Sequence, residues 1–277
     1  MNFSNLVENS FSGQSLLRFL KQHVPSYSNK RLKTLLEAGS VKINGIIERF
    51  GSKRVFQGDF VQFFPKESLC SSQIETLFED EYFFAINKPA NFESSKLNLD
   101  KTFPGSYLVH RLDKNTTGVL LITKNKNFQK QLEELFRAKK IQKKYLALID
   151  RILAKDHGIV KSYLSRKKIY QGQTIWSSSK SNIGLYAETH FKKLKTFDDF
   201  TLVELSPITG RTHQLRVHLK ELGHPILGDF QYCRKFSTAK EVLSLCLHSS
   251  EISFEHPITS EQLIIKAPLS DELSFIK

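Results

Sequence analysis

The first 65 residues combine two short amphipathic segments with a few apolar runs. Apolar side chains recur at helical spacing over residues 15–24, and Pro25 ends that segment because proline cannot continue a helix. Ser28 is placed to cap a second helix, which Gly39 terminates. The apolar positions of the two segments are Leu16, Leu17, Leu20, Leu32, Leu35 and Leu36. The pattern therefore predicts two helices in succession.

A small sheet is predicted to follow these helices. Residues 41–43 alternate apolar and polar side chains, and Asn44-Gly45 is a strong hairpin-turn signal. A second turn at residues 57–59 precedes an apolar run over residues 60–64. The order helix, helix, sheet predicts a compact module with its core in residues 14–64, within a first domain of residues 1–68.

A polar stretch, residues 69–75, is predicted to link this module to a larger domain, residues 76–277. Strands are predicted at 82–87, 119–123 and 145–149 and in an antiparallel meander over 157–205, and helices around 128–136 and 213–222. Residues 91–107 are polar and irregular, which predicts a loop. The predicted fold class is α+β: a small αα-β module followed by a mixed, largely antiparallel sheet with flanking helices.

The composition is that of a globular protein, with 40% hydrophobic and 25% charged residues. No apolar run approaches the roughly 18 residues of a membrane span. The N-terminus lacks the basic-then-apolar pattern of a secretion signal. The three cysteines (Cys70, Cys233 and Cys246) have no CxxC spacing, which disfavours a disulfide framework or a zinc site. We therefore expect a cytoplasmic protein with no membrane association and no metal.

Positive charge is concentrated in one part of the chain. The net charge is +13, and residues 121–180 hold 15 Lys and Arg against 4 Asp and Glu, so 15 − 4 places +11 of it there. A local excess of this kind fits a polyanionic partner such as nucleic acid. It also fits an ordinary solvated basic surface, and charge alone does not decide between the two.

Four polar clusters fall in or beside predicted turns, where functional sites are common. They are Asn87-Lys88-Pro89, His110-Arg111-Leu112-Asp113, Lys143-Lys144-Tyr145 and the stretch from Gly210 to His218. Asp113 precedes a polar turn, so it is either a turn former or a functional carboxylate. The cations of the fourth cluster suit a phosphate cradle or a set of partners for a carboxylate. Tyr145 in a strand is either a core residue or a catalyst.

Several familiar chemistries lack necessary parts. The Leu112 insertion breaks the spacing of a kinase catalytic loop, and no glycine-rich phosphate loop is present. A glycosidase needs a second carboxylate, for which Asp113 has no evident partner in the sequence. There is no G-x-S-x-G for a serine hydrolase. His213 and His218 are five residues apart, not the four that align metal ligands on a helix.

Taken together and in order, the clusters resemble the RluA-type pseudouridine synthases. The stretch from His110 to Gly118 (HRLDKNTTG) is similar to the family signature H-R-L-D-x-x-T-S-G, with Ile86-Asn87-Lys88-Pro89 upstream and Lys144-Tyr145-Leu146-Ala147 downstream. The second long signature runs from Thr209 through Arg216 to Asp229, and His248, His256-Pro257 and Ala267-Pro268-Leu269 complete the match. The resemblance spans roughly residues 77–270. Residues 14–64 resemble the S4-type RNA-binding domain. Two departures are Thr117 in place of the usual Ser and a short, atypical loop over 91–107.

The resemblance implies isomerisation of uridine to pseudouridine in RNA, an intramolecular transfer that needs no cofactor. Asp113 is implied as the nucleophile, suited to this because a carboxylate is already ionised at neutral pH. Arg216 is implied as the cation that keeps it ionised, and Tyr145 as the ring that stacks on the base and a candidate for removing the proton of carbon 5. Arg111 is implied to fill the space of the flipped nucleotide.

Further cationic side chains are predicted to contact RNA. Those of the larger domain are Lys88, Lys143, Lys144, Arg211 and His213, and those of the module are Arg18, Arg31 and Lys33. The expected substrate is large-subunit ribosomal RNA, with transfer RNA as the alternative, and the expected state is a monomer. A non-catalytic RNA-binding or ribosome assembly factor is the rival from another class, which the presence of Asp113 disfavours. A DNA-binding protein is weaker still, because no recognition-helix motif is present.

Overall fold

The computed structural model describes residues 2–65, 74–170, 173–179, 181, 183–233, 235–238, 242, 244–270 and 273–274. The predicted linker lies outside these residues except for positions 74 and 75. The chain divides into two compact units, Met1–Ser72 with Gln171–Gln173 and Gln73–Tyr170 with Thr174–Lys277. No helix in the described ranges is both long and apolar enough to cross a membrane.

The first unit packs two helices against a four-stranded sheet. Its elements are β1 (Phe3–Leu6), a short 3-10 helix (Asn9–Phe11), α1 (Leu16–His23), α2 (Asn29–Glu37), β2 (Val41–Ile43), β3 (Ile46–Ile47) and β4 (Phe60–Phe63). The strand order is β1-β4-β2-β3, and each pair is antiparallel. Both predicted helices and the two predicted strands are confirmed, whereas β1 was not predicted.

Local sequence explains the helix starts and the hairpin of this unit. The Ser15 and Ser28 hydroxyls accept the backbone N–H of Arg18 and Arg31 at 3.4 Å and 3.2 Å, which caps α1 and α2. Asn44 and Gly45 have φ values of 51° and 81°, the left-handed pair that a tight two-residue hairpin requires. The buried leucines of both helices then close one core with Val41 and Val61.

The second unit is built on one large sheet. Its strands are β5 (Thr76–Glu79), β6 (Phe83–Lys88), β7 (Tyr107–Leu108), β8 (Thr117–Thr123), β9 (Gln142–Asp150), β10 (His157–Tyr170), β11 (Gln173–Ser179), β12 (Leu185–Thr196), β13 (Phe200–Pro207), β14 (Leu247–Glu255) and β15 (Gln262–Lys266). Its helices are α3 (Lys96–Thr102), α4 (Lys126–Arg137) and α5 (Gln214–Glu221). The predicted α+β class is confirmed.

The sheet has the strand order β11-β10-β12-β13-β9-β14-β8-β6-β5, with β15 beside β14 and β7 beside β8. Every pair of described register is antiparallel except β8 with β14, which is parallel. The central strands carry apolar side chains on both faces. In β8, Leu120 and Ile122 join one core cluster, and Val119 and Leu121 join another with Phe128 of α4. Burial on both faces explains why this strand is a continuous apolar run.

This unit differs from the sequence prediction in one helix, α3, and in four strands that were not predicted, β5, β7, β14 and β15. The stretch 91–107 contains α3, whose N-terminus is capped by Ser95 and which buries one side chain, Leu99. A single apolar contact leaves no helical periodicity to detect, so the loop prediction was wrong there. β14 was not predicted either, although it lies at the centre of the sheet.

Candidate active site

Asp113 lies in a tight turn between β7 and β8. The Thr116 N–H donates to the Asp113 carbonyl at 3.0 Å, so Asp113 does begin a turn, and its carboxylate is about a quarter exposed. At the base of the turn, Gly118 has a φ of 99°, and a Cβ there would lie 2.1 Å from the Ser249 carbonyl oxygen. Glycine thus lets β8 approach β14 closely and fixes where the turn leaves the sheet.

Arg216 of α5 brings Asp113 together with a second carboxylate. Its Nη1 donates to Asp113 Oδ2 at 3.1 Å, while Nε and Nη2 donate to the two oxygens of Asp229 at 2.9 Å and 2.7 Å. Nη2 also donates to Gln231 Oε1 at 2.6 Å. The guanidinium is therefore held in a fork by Asp229 with one edge left for Asp113.

Burial of this network makes its charges interdependent. Arg216 is 8% exposed and Asp229 is 2% exposed. Burial by itself lowers the pKa of the Arg216 guanidinium, but the charge and hydrogen bonds of Asp229, with the charge of Asp113, raise it above its ordinary value. The guanidinium therefore stays charged. It is the positive partner of the Asp113 carboxylate in this partly buried site.

Tyr145 faces the same site from β9. Its backbone pairs with Leu205 of β13 and Ser249 of β14, and the residue is 8% exposed. Burial, with a smaller contribution from the charge of Asp113, raises the pKa of the Tyr145 phenol to about 12. The side chain is thus a neutral phenol at physiological pH.

The three side chains line one cavity of about 680 Å³. Its wall also includes Arg111, Lys143, Arg211 and His213, and its size lies within the range of small-molecule sites, roughly 300–1,000 Å³. Sequence analysis had placed these residues in three separate clusters. In the folded chain, residues of all three clusters line one cavity in the second unit.

His213 precedes α5 in a strained conformation and lies beside Asp113. Its φ is 57° and ψ is 17°, a left-handed backbone that residues other than glycine seldom adopt. Its Nε2 lies 3.8 Å from Asp113 Oδ2 and its Nδ1 lies 2.8 Å from the Tyr232 hydroxyl. Burial and the nearby Arg216 lower the pKa of His213 to about 4, so the ring is neutral at physiological pH.

Lys143 and Lys144 occupy opposite sides of β9. Lys143 lines the cavity with its Nζ 5.8 Å from the centre of the Phe136 ring, and burial lowers its pKa to about 8. Lys144 instead pairs with Glu251 at 2.9 Å, and the bond and charge of that partner raise its pKa. Only Lys143 of this pair is directed at the site.

Lys88 is placed differently from the sequence prediction of an RNA contact. It is fully buried, and its Nζ donates to the carbonyls of Pro89, Phe92 and Lys114 at 2.9 Å, 2.9 Å and 3.0 Å. Burial lowers its pKa to about 7, while the charge of Asp113 acts in the opposite direction. With no surface to offer RNA, Lys88 instead ties the strand end to the turn that carries Asp113, and we correct the prediction accordingly.

The remaining predicted residues lie at the surface. Arg111 is exposed at the cavity, and Arg211 is exposed there with its Nε donating to the Tyr186 carbonyl at 3.0 Å. Arg18, Arg31 and Lys33 belong to the helices of the first unit, with Arg18 and Lys33 exposed and Arg31 half-buried.

Sequence reasoning missed Asp229, Gln231 and Tyr232 as site residues. Asp229 was noted only as the end of a family signature. The available signal was Gly228, which has a φ of 77° and whose Cβ would lie 1.8 Å from the Ser244 carbonyl oxygen. Gly228 therefore forms a tight turn, and this turn fixes the direction of the Asp229 side chain that follows it. Across the described residues, no three His, Cys, Asp or Glu side chains are grouped so that they could hold a metal ion.

Comparisons with known proteins point to one family. A sequence profile of the family described as RNA pseudouridylate synthase matches residues 81–221. The ribosomal large subunit pseudouridine synthase C of Yersinia pestis is 32% identical over 291 residues, covering 95% of this chain and 90% of that protein. Ribosomal large subunit pseudouridine synthase D of Nitrosomonas europaea is 31% identical over 297 residues, covering 97% and 85%. Among solved structures, human RNA pseudouridylate synthase domain containing 4 superposes with a TM-score of 0.58 at 27% identity, covering 71% of this chain and 88% of that one.

Proposed function

Because the chain belongs to the RNA pseudouridylate synthase family, whose members isomerise uridine to pseudouridine in RNA, we propose that its substrate is large-subunit ribosomal RNA and that Asp113 is its nucleophile. The names of the curated relatives support the substrate. The observation that carries the role of Asp113 is the position of its carboxylate, 3.1 Å from the buried Arg216 and in the wall of a cavity of about 680 Å³. One chain supplies all of these side chains, so we propose action as a monomer, in the cytoplasm.

The proposed reaction breaks one bond to the ribose and forms another. The Asp113 carboxylate attacks carbon 1 of the ribose, and the uracil departs with the electron pair of the C–N bond. The uracil turns within the cavity, its carbon 5 bonds to carbon 1, and the carboxylate leaves. The proton of carbon 5 is then lost, and nitrogen 1 of the uracil, which kept the electron pair of the broken bond, takes up a proton. The product is therefore an isomer of the substrate, and no co-reactant is consumed. Transient ionisation of the uracil favours a cation-lined cavity.

Entry of the uridine requires that it leave its stack. Extruding a base costs a few kcal/mol, and least in an unpaired loop. We propose that Arg111 fills the vacated space, because its exposed side chain lines the cavity and it is two residues from Asp113 in the sequence. Arg211 and His213 are then placed to face the flipped nucleotide.

Replacement Tyr145→Phe separates stacking from proton transfer. Phenylalanine keeps the buried ring but has no hydroxyl through which the carbon 5 proton can be relayed. We therefore expect RNA affinity within a few-fold and product formation reduced by roughly 10²-fold or more. Single-turnover pseudouridine formation checks this. Near-normal turnover would reduce Tyr145 to a stacking platform.

We propose that Lys143 contacts a phosphate of the bound RNA. Its pKa of about 8 means that the ammonium loses its proton as pH rises through that value, so RNA affinity should weaken between about pH 7 and pH 9. Lys143→Met should lower affinity roughly tenfold. Lys143→Arg should remove the pH dependence, since a guanidinium stays charged. Fluorescence anisotropy of labelled RNA at constant ionic strength measures both effects.

Lys144→Met is the matched control for this prediction. It removes the same charge from the neighbouring position, where the ammonium pairs with Glu251 outside the cavity wall. An equal loss of affinity in both variants would show a general charge effect and contradict a specific contact by Lys143.

We further propose that the first unit, as an S4-type domain, supplies affinity and site choice. Its two helices present Arg18, Arg31 and Lys33, while the residues assigned to chemistry all belong to the second unit. Replacing these three with alanine should leave catalysis of a short target hairpin intact. If all three contact phosphates, the slope of log affinity against log salt should become shallower by about 2.1–2.7, at roughly 0.7–0.9 per contact. An unchanged slope would place these cations away from RNA.

Release of tritium from RNA labelled at carbon 5 of uridine tests the proposed function. The full-length protein is incubated with unmodified large-subunit ribosomal RNA and, in parallel, with bulk transfer RNA. We expect release from the ribosomal RNA at one or a few stoichiometric positions. Release from transfer RNA alone would correct the substrate, and release from neither would contradict the proposal.

A further inference from the structure

Tyr232 is half-buried and contacts Arg216, His213 and the backbone of Trp176. Its ring packs 4.9 Å from the Arg216 guanidinium. Its hydroxyl lies 3.1 Å from the backbone nitrogen of Trp176 on β11 and 2.8 Å from His213 Nδ1. Tyr232 is not one of the residues that line the cavity, so we look for its effect on the reaction in its contacts with Arg216 and His213.

The hydrogen bonds of Tyr232 favour one tautomer of His213. The Trp176 N–H can only donate, so the Tyr232 oxygen accepts from it. Among the described contacts of the Tyr232 hydroxyl, His213 Nδ1 is the one group that can accept its hydrogen, so we assign Tyr232 as the donor and Nδ1 as the acceptor. A neutral imidazole with an accepting Nδ1 carries its hydrogen on Nε2, the nitrogen 3.8 Å from Asp113 Oδ2. That distance is longer than a hydrogen bond, but such contacts often tighten when substrate binds.

The ionisation of both groups is consistent with this arrangement. Burial raises the pKa of the Tyr232 phenol to about 12, so the hydroxyl keeps its hydrogen. The pKa of His213, about 4, keeps the ring neutral, and a neutral ring has a tautomer to select. The charged groups facing His213 are Arg216, Asp113 and Asp229.

Backbone strain also points to this histidine. A left-handed backbone at a residue other than glycine is strained and persists only where the surrounding structure imposes it. The loop is held by the buried amide of Gln214, whose Oε1 accepts from Thr209 and from the Arg211 N–H and whose Nε2 donates to the Glu188 carbonyl. The strained turn sets the imidazole between Tyr232 and Asp113.

We propose that Tyr232 is a positioning residue of the reaction: it selects the Nε2–H tautomer of His213 and supports the Arg216 guanidinium, so that two donors converge on the same oxygen of Asp113. Oδ1 of Asp113 is then the oxygen assigned to the ribose. This inference rests on the proposed function, and it adds a part that none of the four sequence clusters contains.

The test is Tyr232→Phe in the full-length protein, which removes the hydroxyl and keeps the ring beneath Arg216. The nitrogen-15 shifts of the His213 ring, assigned with a His213→Gln sample, report the tautomer without substrate. We expect the single Nε2–H tautomer of the wild type to become a mixture. We also expect kcat to fall roughly tenfold, the effect of losing one hydrogen bond, with KM for RNA within twofold. In a His213→Gln background the same change should have no further effect.

Tyr163→Phe is the matched control. Tyr163 lies on β10 with its ring against Tyr186, and its replacement should alter neither the His213 shifts nor kcat. An unchanged tautomer in Tyr232→Phe, or a kcat within twofold of wild type, overturns the proposal. Should that variant not fold, 3-fluorotyrosine at position 232 strengthens the donor instead, and unchanged His213 shifts then overturn it. A wild type without synthase activity contradicts the proposed function, while the shifts still measure the tautomer.

Discussion

Asp113→Asn is expected to abolish pseudouridine formation while leaving the fold and RNA binding intact. The amide is nearly isosteric with the carboxylate, and its oxygen can still accept from Arg216 Nη1, now 3.1 Å from Asp113 Oδ2. An amide is no nucleophile toward the ribose, so we expect the single-turnover rate to fall by at least about 10³-fold. The melting temperature should stay within a few degrees of wild type, because Arg216 keeps its paired contacts to Asp229.

Tritium release from labelled RNA measures this loss, with RNA affinity determined on the same preparation. Asp199→Asn is a suitable control, since it makes the same chemical change in the turn between β12 and β13. Appreciable release by Asp113→Asn would remove Asp113 from the role of nucleophile.

Arg216→Leu is expected to lower both stability and turnover. The change leaves Asp229, which is 2% exposed, without its guanidinium partner, and Asp113 without its nearest cation. Breaking a buried ion pair by removing one partner costs about 3–5 kcal/mol, and urea unfolding measures this loss. Turnover should fall almost as far as in Asp113→Asn, because a partly buried carboxylate that has lost its cationic partner favours the protonated form, which is not a nucleophile.

The second carboxylate allows these two effects to be separated. Asp229→Asn removes the buried charge but leaves Arg216 to face Asp113, so it should lower stability more than it lowers turnover. If Arg216→Leu remains folded and turns over like wild type, another cation supports Asp113, and Arg211 at the cavity wall is the next candidate.

The sequence pattern predicted those helices and strands that are stabilised by interactions between residues close in sequence. The capped helices α1 and α2, the Asn44-Gly45 hairpin and the apolar run of β8 each depend on residues close in sequence. α3 was not predicted because a helix that buries only Leu99 shows no helical spacing of apolar residues. β14 escaped because its place at the sheet centre is set by β8 and β9, not by its own alternation of side chains.

The candidate site shows the same division. Resemblance to a family selected Asp113, Tyr145 and Arg216, and the fold brings these distant residues to one cavity. The charge of Lys88 suggested a contact with RNA, but its side chain is buried and donates to three backbone carbonyls. This structural role depends on tertiary contacts, which the sequence pattern does not show. Gly228 marked a turn beside Asp229, but the contact of Asp229 with Arg216 is seen only in the structure. Tyr232 was identified only through its hydrogen bond to His213.

Mapping pseudouridine at nucleotide resolution in cellular RNA, with and without this protein, tests the central claim most directly. The account predicts that one or a few positions of large-subunit ribosomal RNA lose pseudouridine when the protein is absent. Those positions should be restored by the wild-type protein and not by Asp113→Asn. An unchanged pseudouridine map in ribosomal RNA, or full restoration by Asp113→Asn, would contradict it.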